Sequence, residues 1–251
     1  MAGRYGVLDS IADLFVPIHR DGHKFLGVGL AVSILFFLIW PALGWICTII
    51  TAWIAYFFRD PDRVTPLREG LVIAPSDGRI ASIDKVQSPP ELGLNDGERV
   101  RVSIFLSIFD MHINRAPVAG RITRSVYVPG AFLRASNDQA SEDNERRALV
   151  IETPSGAEVA VLQIAGMISR RIVTFAGEGD TVGGGQRFGL IRFGSRVDVY
   201  LPVNTAPLVS HPDTTLFLDA SGMAILVVAD MTFDSVENCM VTNVEIERAS
   251  D

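Results

Sequence analysis

Residues 189–202 read GLIRFGSRVDVYLP, a strand-like stretch with Gly194-Ser195 at its centre. A Gly-Ser pair inside a strand is usually a bulge or a tight bend, because glycine permits unusual backbone angles and serine hydrogen-bonds locally. A nucleophile elbow of the GxSxG type is excluded, since Gly194 directly precedes Ser195 and the flanking residues are Phe193 and Arg196. On its residues alone, the stretch therefore predicts a strand with a bend.

The chain on both sides of this stretch has the same strand character. After residue 60, short apolar runs alternate with Gly, Pro, Asn and Asp, and these runs include residues 71–74, 100–108, 149–151 and 159–164. Such punctuation indicates strands joined by tight turns. We therefore expect a mainly β, compact, sandwich-like or barrel-like domain over residues 61–251.

A long apolar segment precedes this domain. Residues 25–58 contain no charged residue. As one straight helix the segment would be about 50 Å long, well beyond a hydrocarbon core of about 30 Å. Pro41 and Gly44 divide it into two arms, which predicts a helical hairpin with both ends on one side of a membrane. Residues 1–60 would then form the anchoring segment.

The flanks of the apolar segment predict its orientation. Positive residues occur at both ends, namely Arg20, Lys24, Arg59, Arg63 and Arg68. Positive charge favours the cytoplasmic side, so we expect attachment to the cytoplasmic face of the cell membrane. A buried core hairpin of a soluble domain is the weaker reading, because the three tryptophans of the chain all lie in this segment and tryptophan favours membrane interfaces.

Composition excludes several classes of function. The 251 residues carry a net charge of −7 without a basic run, which argues against a nucleic-acid partner. Cys47 and Cys239 are the only cysteines, too few for a disulfide framework or a thiolate metal cluster. His19 and His23 have helical spacing but adjoin the apolar segment, so we predict no metal site.

Four further segments accompany the Gly-Ser strand. They are APSDG at residues 74–78, FLSIFDMHINRAPVAG at 105–120, PGAFLRASNDQASEDNERR at 129–147 and AGMISRRIV at 165–173. With the strand at 189–202, these segments in this order resemble the phosphatidylserine decarboxylase family in its shorter bacterial form. Ordered matches at several separate places are far more specific than one short motif.

The resemblance implies a self-processing enzyme. It implies cleavage between Gly194 and Ser195 and conversion of Ser195 into a covalent pyruvoyl group, the cofactor. His112 and Asp77 match the base and its carboxylate partner, and Asp110 is a further candidate. The pyruvoyl ketone would form an imine with the amine of the substrate and act as an electron sink.

The resemblance also implies the partners of the chain. The substrate would be phosphatidylserine in the bilayer, and the mature protein would consist of a large chain, 1–194, and a small chain, 195–251. Self-association into a homo-oligomer is left open. The chain departs from the family pattern at Phe193 and Arg196, at Gln139 and over residues 208–229.

Two other functions use the same residues. A membrane-tethered serine hydrolase would employ Ser195, His112 and Asp77 as an ordinary triad in an intact chain. A non-catalytic, membrane-anchored β module would use them only as turn or core residues. The mass of the purified chain separates these alternatives, because only the decarboxylase splits in two.

Overall fold

The computed structural model of the protein describes most of the chain outside its two termini. The described residues are 17–61, 65, 71–94, 97–132, 143–166, 171–192, 195–203 and 205, together with the backbone of residues 215–216 and 227–230. Gly194, Gln139 and most of the divergent segment 208–229 lie outside the described residues.

The apolar segment folds as the predicted helical hairpin. Helix α1 spans Arg20–Ile39 and helix α2 spans Pro41–Phe57. The chain reverses at Trp40, whose backbone is extended, with φ −153° and ψ 106°. Pro41 begins the second helix, a position where its missing N–H costs nothing. Gly44 lies inside α2, so it takes no part in the reversal.

Small residues bring the two helices close together. A Cβ atom at Gly29 would lie 2.5 Å from Thr51 Oγ1, and one at Gly44 would lie 2.5 Å from the Phe37 ring. The hydroxyls of Ser33 and Thr51 are 3.5 Å apart across the interface. Close approach of this kind is typical of helix pairs in membranes.

The outer surface of the hairpin is apolar. Its exposed side chains include Leu38 at 81%, Ile39 at 69% and Trp45 at 63% of full exposure. Helix α1, with 20 residues, is long and apolar enough to cross a membrane by length and composition, and α2 is a shorter apolar helix. Such a surface must be covered by lipid or protein.

The rest of the described chain is strand-rich, which confirms the predicted mainly β class. The strands are β1 (Leu71–Ile73), β2 (Gly78–Gln87), β3 (Glu98–Leu106), β4 (Ile113–Arg115), β5 (Gly120–Val128), β6 (Arg146–Glu152), β7 (Glu158–Ala165), β8 (Ile172–Thr174), β9 (Thr181–Val182), β10 (Arg187–Ile191), β11 (Ser195–Leu201), β12 (Thr215–Leu216) and β13 (Val227–Asp230). A short 3₁₀ helix, Pro90–Leu92, connects β2 to β3.

The strands form one large sheet and two small ones. The large antiparallel sheet has the order β12-β2-β3-β11-β7-β6-β5-β9, and the small ones are β4-β10-β8 and β1-β13. Strand β11 lies inside the large sheet, between β3 and β7, and all of its residues are buried. Val197, Val199 and Leu201 of β11 belong to the main hydrophobic core.

The opposite face of β11 carries a buried ion pair. Arg196 Nε donates to Asp198 Oδ1 at 2.6 Å, and another guanidinium nitrogen of Arg196 donates to Ser103 Oγ at 2.7 Å. Arg196 is 2% exposed and Asp198 is fully buried. These contacts compensate the desolvation of the Arg196 charge, so an arginine can occupy this strand.

The base of the hairpin is fastened to the β domain. Phe57 and Phe58 pack in one apolar cluster with Ile113 of β4 and Leu190 of β10. Beside them, Asp60 Oδ1 accepts hydrogen bonds from Arg187 Nε at 2.8 Å and from the Arg115 guanidinium at 3.5 Å. The two hairpin ends are also bonded to each other, because the backbone N–H of residue 19 donates to the carbonyl of residue 58 at 2.8 Å.

The backbone at Gly78 generates a first prediction. Its φ is +151°, and an added Cβ would lie 2.5 Å from the Phe105 carbonyl oxygen. Gly78→Ala should therefore lower the free energy of unfolding by about 2–4 kcal/mol. The control is Gly156→Ala, at φ +81° with no atom within 4 Å, which should cost only about 1 kcal/mol. Denaturant unfolding in detergent measures both, and equal losses would contradict the steric argument.

Candidate active site

Four strand ends meet at one end of the large sheet. Ser195, the first residue of β11, pairs with Leu106 at the end of β3 and with Ala165 at the end of β7. Arg79, near the start of β2, pairs with Phe105. The connections that carry the candidate residues therefore begin or end at this same end of the sheet.

Ser195 is completely buried. Its side chain is on the same face of β11 as Val197 and Val199, because side chains alternate along a strand. Its Oγ atom has no hydrogen-bond partner among the described residues. A buried hydroxyl without a partner costs free energy and is uncommon in folded proteins. Ser195 is therefore a candidate for chemistry and not only a bend-forming residue.

His112 lies in the connection between β3 and β4 and is 1% exposed. Its Nδ1 is 2.9 Å from the Asp110 carbonyl oxygen. A carbonyl oxygen can only accept, so Nδ1 carries the proton and Nε2 carries the lone pair. The carbonyl of His112 accepts from Ile191 N at 3.1 Å, which ties it to the strand that leads directly to Ser195.

The electrostatic environment keeps His112 neutral. Burial lowers the pKa of the imidazole to about 4, an effect that the Asp110 carbonyl opposes and the positive charge of Arg59 reinforces. The Phe57 ring lies 4.4 Å from the imidazole, centroid to centroid, and contributes to this burial. At neutral pH the ring is therefore an unprotonated base.

Asp77 ends the connection between β1 and β2. It is 9% exposed, and its turn is held by the hydrogen bond from Arg115 N to the Pro75 carbonyl at 2.8 Å. Strand β2 lies two strand spacings from β11, about 10 Å across the sheet. Asp77 and Ser195 therefore share one end of the sheet.

Asp110 fixes the turn that precedes His112. Its Oδ2 accepts from Ser107 N at 2.7 Å, and its own N–H donates to the Ser107 carbonyl at 2.9 Å. Burial raises the pKa of the Asp110 carboxyl, against the opposing effects of the Ser107 hydrogen bond and of Arg59. The Asp110 atom that orients the imidazole is the backbone carbonyl oxygen.

Two buried amide groups near the site were not predicted as site residues. Gln163 Nε2 donates to Asn114 Oδ1 at 2.6 Å, and both residues are fully buried. Gln163 faces Val197 across the β7–β11 pairing. A glutamine within the apolar run of β7 is the signal that could have indicated a buried polar contact.

Asn144 supports the same strand ends. Its side chain is fully buried and donates from Nδ2 to the Ala165 carbonyl at 2.8 Å. Ala165 is the residue that pairs with Ser195. Asn144 thus holds the end of β7 in place beside Ser195.

The fold and the site together define a mainly β protein with an apolar helical hairpin, a buried serine and a neutral histidine. The model of the phosphatidylserine decarboxylase family matches residues 50–217. The chain is 58% identical over 207 residues to the phosphatidylserine decarboxylase proenzyme of Nitrobacter winogradskyi, covering 82% of this chain and 84% of that one. It is 52% identical over 208 residues to the proenzyme of the same name from Ruegeria pomeroyi, covering 82% and 95%. The chain belongs to the phosphatidylserine decarboxylase family.

The depressed pKa of His112 generates a second prediction. The pKa of His112 is 6.5 in the unfolded chain and about 4 in the folded chain. Between these pH values only the unfolded chain takes up a proton at His112, so the free energy of unfolding decreases as the pH falls. From pH 7 to pH 5, the wild-type chain should lose about 2 kcal/mol more unfolding free energy than His112→Gln. Urea titrations in detergent at each pH measure this difference. Parallel pH profiles would show that the imidazole titrates normally.

Proposed function

We propose that this chain is a phosphatidylserine decarboxylase proenzyme that cuts itself between Gly194 and Ser195 and converts phosphatidylserine to phosphatidylethanolamine and CO₂. The observation that carries this proposal is the buried Ser195 hydroxyl, without a described hydrogen-bond partner, at the same sheet end as a neutral histidine. The names of the two relatives support it.

Self-cleavage begins with attack by the serine. Ser195 Oγ passes its proton to Nε2 of His112 and bonds to the carbonyl carbon of Gly194. The C–N bond then breaks and the nitrogen takes up a proton, which leaves an ester in place of the peptide bond. This step requires an unprotonated imidazole, which the lowered pKa of His112 provides.

Elimination completes the cut. Loss of the α-proton of Ser195 and rupture of its Cβ–O bond release the carboxylate of Gly194 and leave a dehydroalanine. Addition of water and loss of ammonia convert that residue into pyruvoyl. The products are chains 1–194 and 195–251.

The burial of Ser195 serves this sequence of steps. Direct hydrolysis of the ester would also cut the chain, but it would regenerate serine and no pyruvoyl group would form. Ser195 is fully buried, so solvent competes poorly at the ester. The Asp110 carbonyl orients the imidazole, and we assign Asp77 the role of stabilising the imidazolium from the same end of the sheet.

The position of residue 195 also fits the mature group. The buried Ser195 hydroxyl makes no hydrogen bond to a described residue. Its conversion to a ketone would therefore leave no described donor or acceptor without a partner. A pyruvoyl group supplies a ketone that withdraws electrons from the carbon that loses CO₂. In turnover, we assign Nε2 of His112 the role of holding or moving a proton at residue 195.

The hairpin accounts for a lipid substrate. We propose that residues 25–58 anchor the enzyme in the cell membrane and that the positive flanks keep residues 61–251 on the cytoplasmic face. The proposed anchoring segment is residues 1–60, and the proposed catalytic domain is residues 61–251. Phe57 and Phe58 at its end pack on the β domain, which fixes the distance from the bilayer to the site.

Replacement of the serine gives a third prediction. Ser195→Ala has no hydroxyl to attack Gly194, so the purified chain should show one full-length mass and no decarboxylase activity. Ser155→Ala, in an exposed turn, is the matched control and should yield the two chains of the wild type. A wild-type chain of full-length mass would favour the serine hydrolase instead.

The hairpin tip gives a fourth prediction. Leu38→Glu with Ile39→Glu places two charges in the most exposed apolar part of α1, where each costs about 2.5–3.5 kcal/mol in a membrane interior. Membrane association in flotation assays should fall at least about tenfold. Gln87→Glu with Ser155→Glu adds the same charge on exposed β-domain positions and should leave association unchanged. Undiminished flotation of the tip variant would locate the anchor elsewhere.

A further inference from the structure

An open pocket of about 590 Å³ lies where helix α1 begins, beside strand β8. Among the described residues, four cationic side chains line it, namely Lys24, Arg147, Arg171 and Arg192, against the one carboxylate of Asp21. The whole chain carries a net charge of −7, so this local excess of positive charge opposes the overall balance. A concave basic site of this kind concentrates anions.

The pocket retains hydrogen-bond donors for a ligand. Arg192 Nε is buried and has no hydrogen-bond partner among the described residues, while its guanidinium lies 5.3 Å from the centroid of the Phe25 ring. Arg147 Nε is likewise buried without a described hydrogen-bond partner, although another nitrogen of its guanidinium donates to Ser125 Oγ at 2.9 Å. Guanidinium groups present paired N–H donors that match the oxygens of a phosphate.

Arg192 links the pocket to the candidate active site along the chain. Arg192 directly follows Ile191, whose N–H donates to the His112 carbonyl. Arg192 precedes Ser195 by three residues, a distance of at most about 11 Å along the chain. In phosphatidylserine, the phosphate is separated from the reactive amine by only a few covalent bonds. One head group could therefore occupy both places.

The pocket also lies at the level expected for lipid head groups. Lys24 is in the first part of α1, and the helix continues from there into exposed apolar residues such as Val28. If the apolar part is in the hydrocarbon, the start of the helix is at the interface. Acyl chains beside the hairpin would then place the phosphate next to Lys24.

We propose that this basic pocket binds the phosphate of the phosphatidylserine head group and directs its serine moiety towards residue 195. The assignment rests on the proposed decarboxylase function. Lys24 and Arg171 are exposed at the pocket and act as phosphate-binding residues, while Arg192 connects the pocket to the reacting centre.

The test compares two full-length double variants of equal charge. Lys24→Gln with Arg171→Gln should raise the KM for phosphatidylserine in mixed micelles about tenfold, with kcat changed less than about threefold. Lys85→Gln with Arg121→Gln removes the same charge from exposed strand positions and should keep the wild-type KM. Self-cleavage, read from the masses of the two chains, should be complete in both.

Two further measurements identify the ligand. On a serine O-acyl ester, which lacks the phosphate, the pocket variant should match its control, and a KM increase there would overturn phosphate recognition. Inorganic phosphate should compete with the lipid for the wild type. If the pocket variant loses that competition without any rise in the KM for the lipid, the pocket binds a free anion and the proposal is wrong.

The failure of this assignment differs from failure of the decarboxylase function. A wild-type chain that neither splits nor releases CO₂ from phosphatidylserine contradicts the proposed function. A wild-type chain that does both, with identical KM values for the pocket variant and its control, overturns the pocket assignment alone.

Discussion

The packing of the hairpin base against strands β4 and β10 is the contact on which the rest of this structure depends. Phe57 lies against His112 and shares an apolar cluster with Ile113 and Leu190, and Asp60 beside it binds Arg187. This contact orients the apolar helices relative to the sheet. It also helps to remove water from the imidazole, and the loss of water is the main cause of its lowered pKa. The docking of the apolar hairpin and the lowered pKa of His112 thus have one structural origin.

The central position of β11 explains how the protein can remain assembled after a cut just before Ser195, the first residue of this strand. Ser195 through Tyr200 pair with β3 on one side and β7 on the other, and Arg196 and Asp198 are bonded within the sheet. A cut before Ser195 breaks none of these contacts. The proposed small chain would therefore stay hydrogen-bonded on both edges and keep its new terminus buried. An edge strand would have only one such partner and would admit water to the ester.

The sequence was sufficient to predict the hairpin and the mainly β class, because each depends on local pattern. The roles of Ser195 and His112 stay predictions that rest on motifs. It could not predict that Gly44 serves helix contact, since the contacting Phe37 comes from the other helix. Nor could it show that Asp110 approaches the imidazole through its carbonyl, because the turn geometry decides which atom faces the ring. The Asn114–Gln163 contact joins residues 49 positions apart, and such pairings follow only from the sheet order.

The location of the basic pocket follows from the same base contact. Lys24 and Asp21 come from the hairpin, whereas Arg171 and Arg192 come from the β domain, so the pocket exists only while the two are docked. An anchor on a flexible tether would raise the local concentration of lipid but would not orient a head group. With the proposed phosphate site, a docked anchor would hold the lipid phosphate, the imidazole and residue 195 in fixed relative positions, which is the condition for proximity to lower a reaction barrier. On these proposals, the hairpin is part of the substrate-binding apparatus as well as the means of attachment.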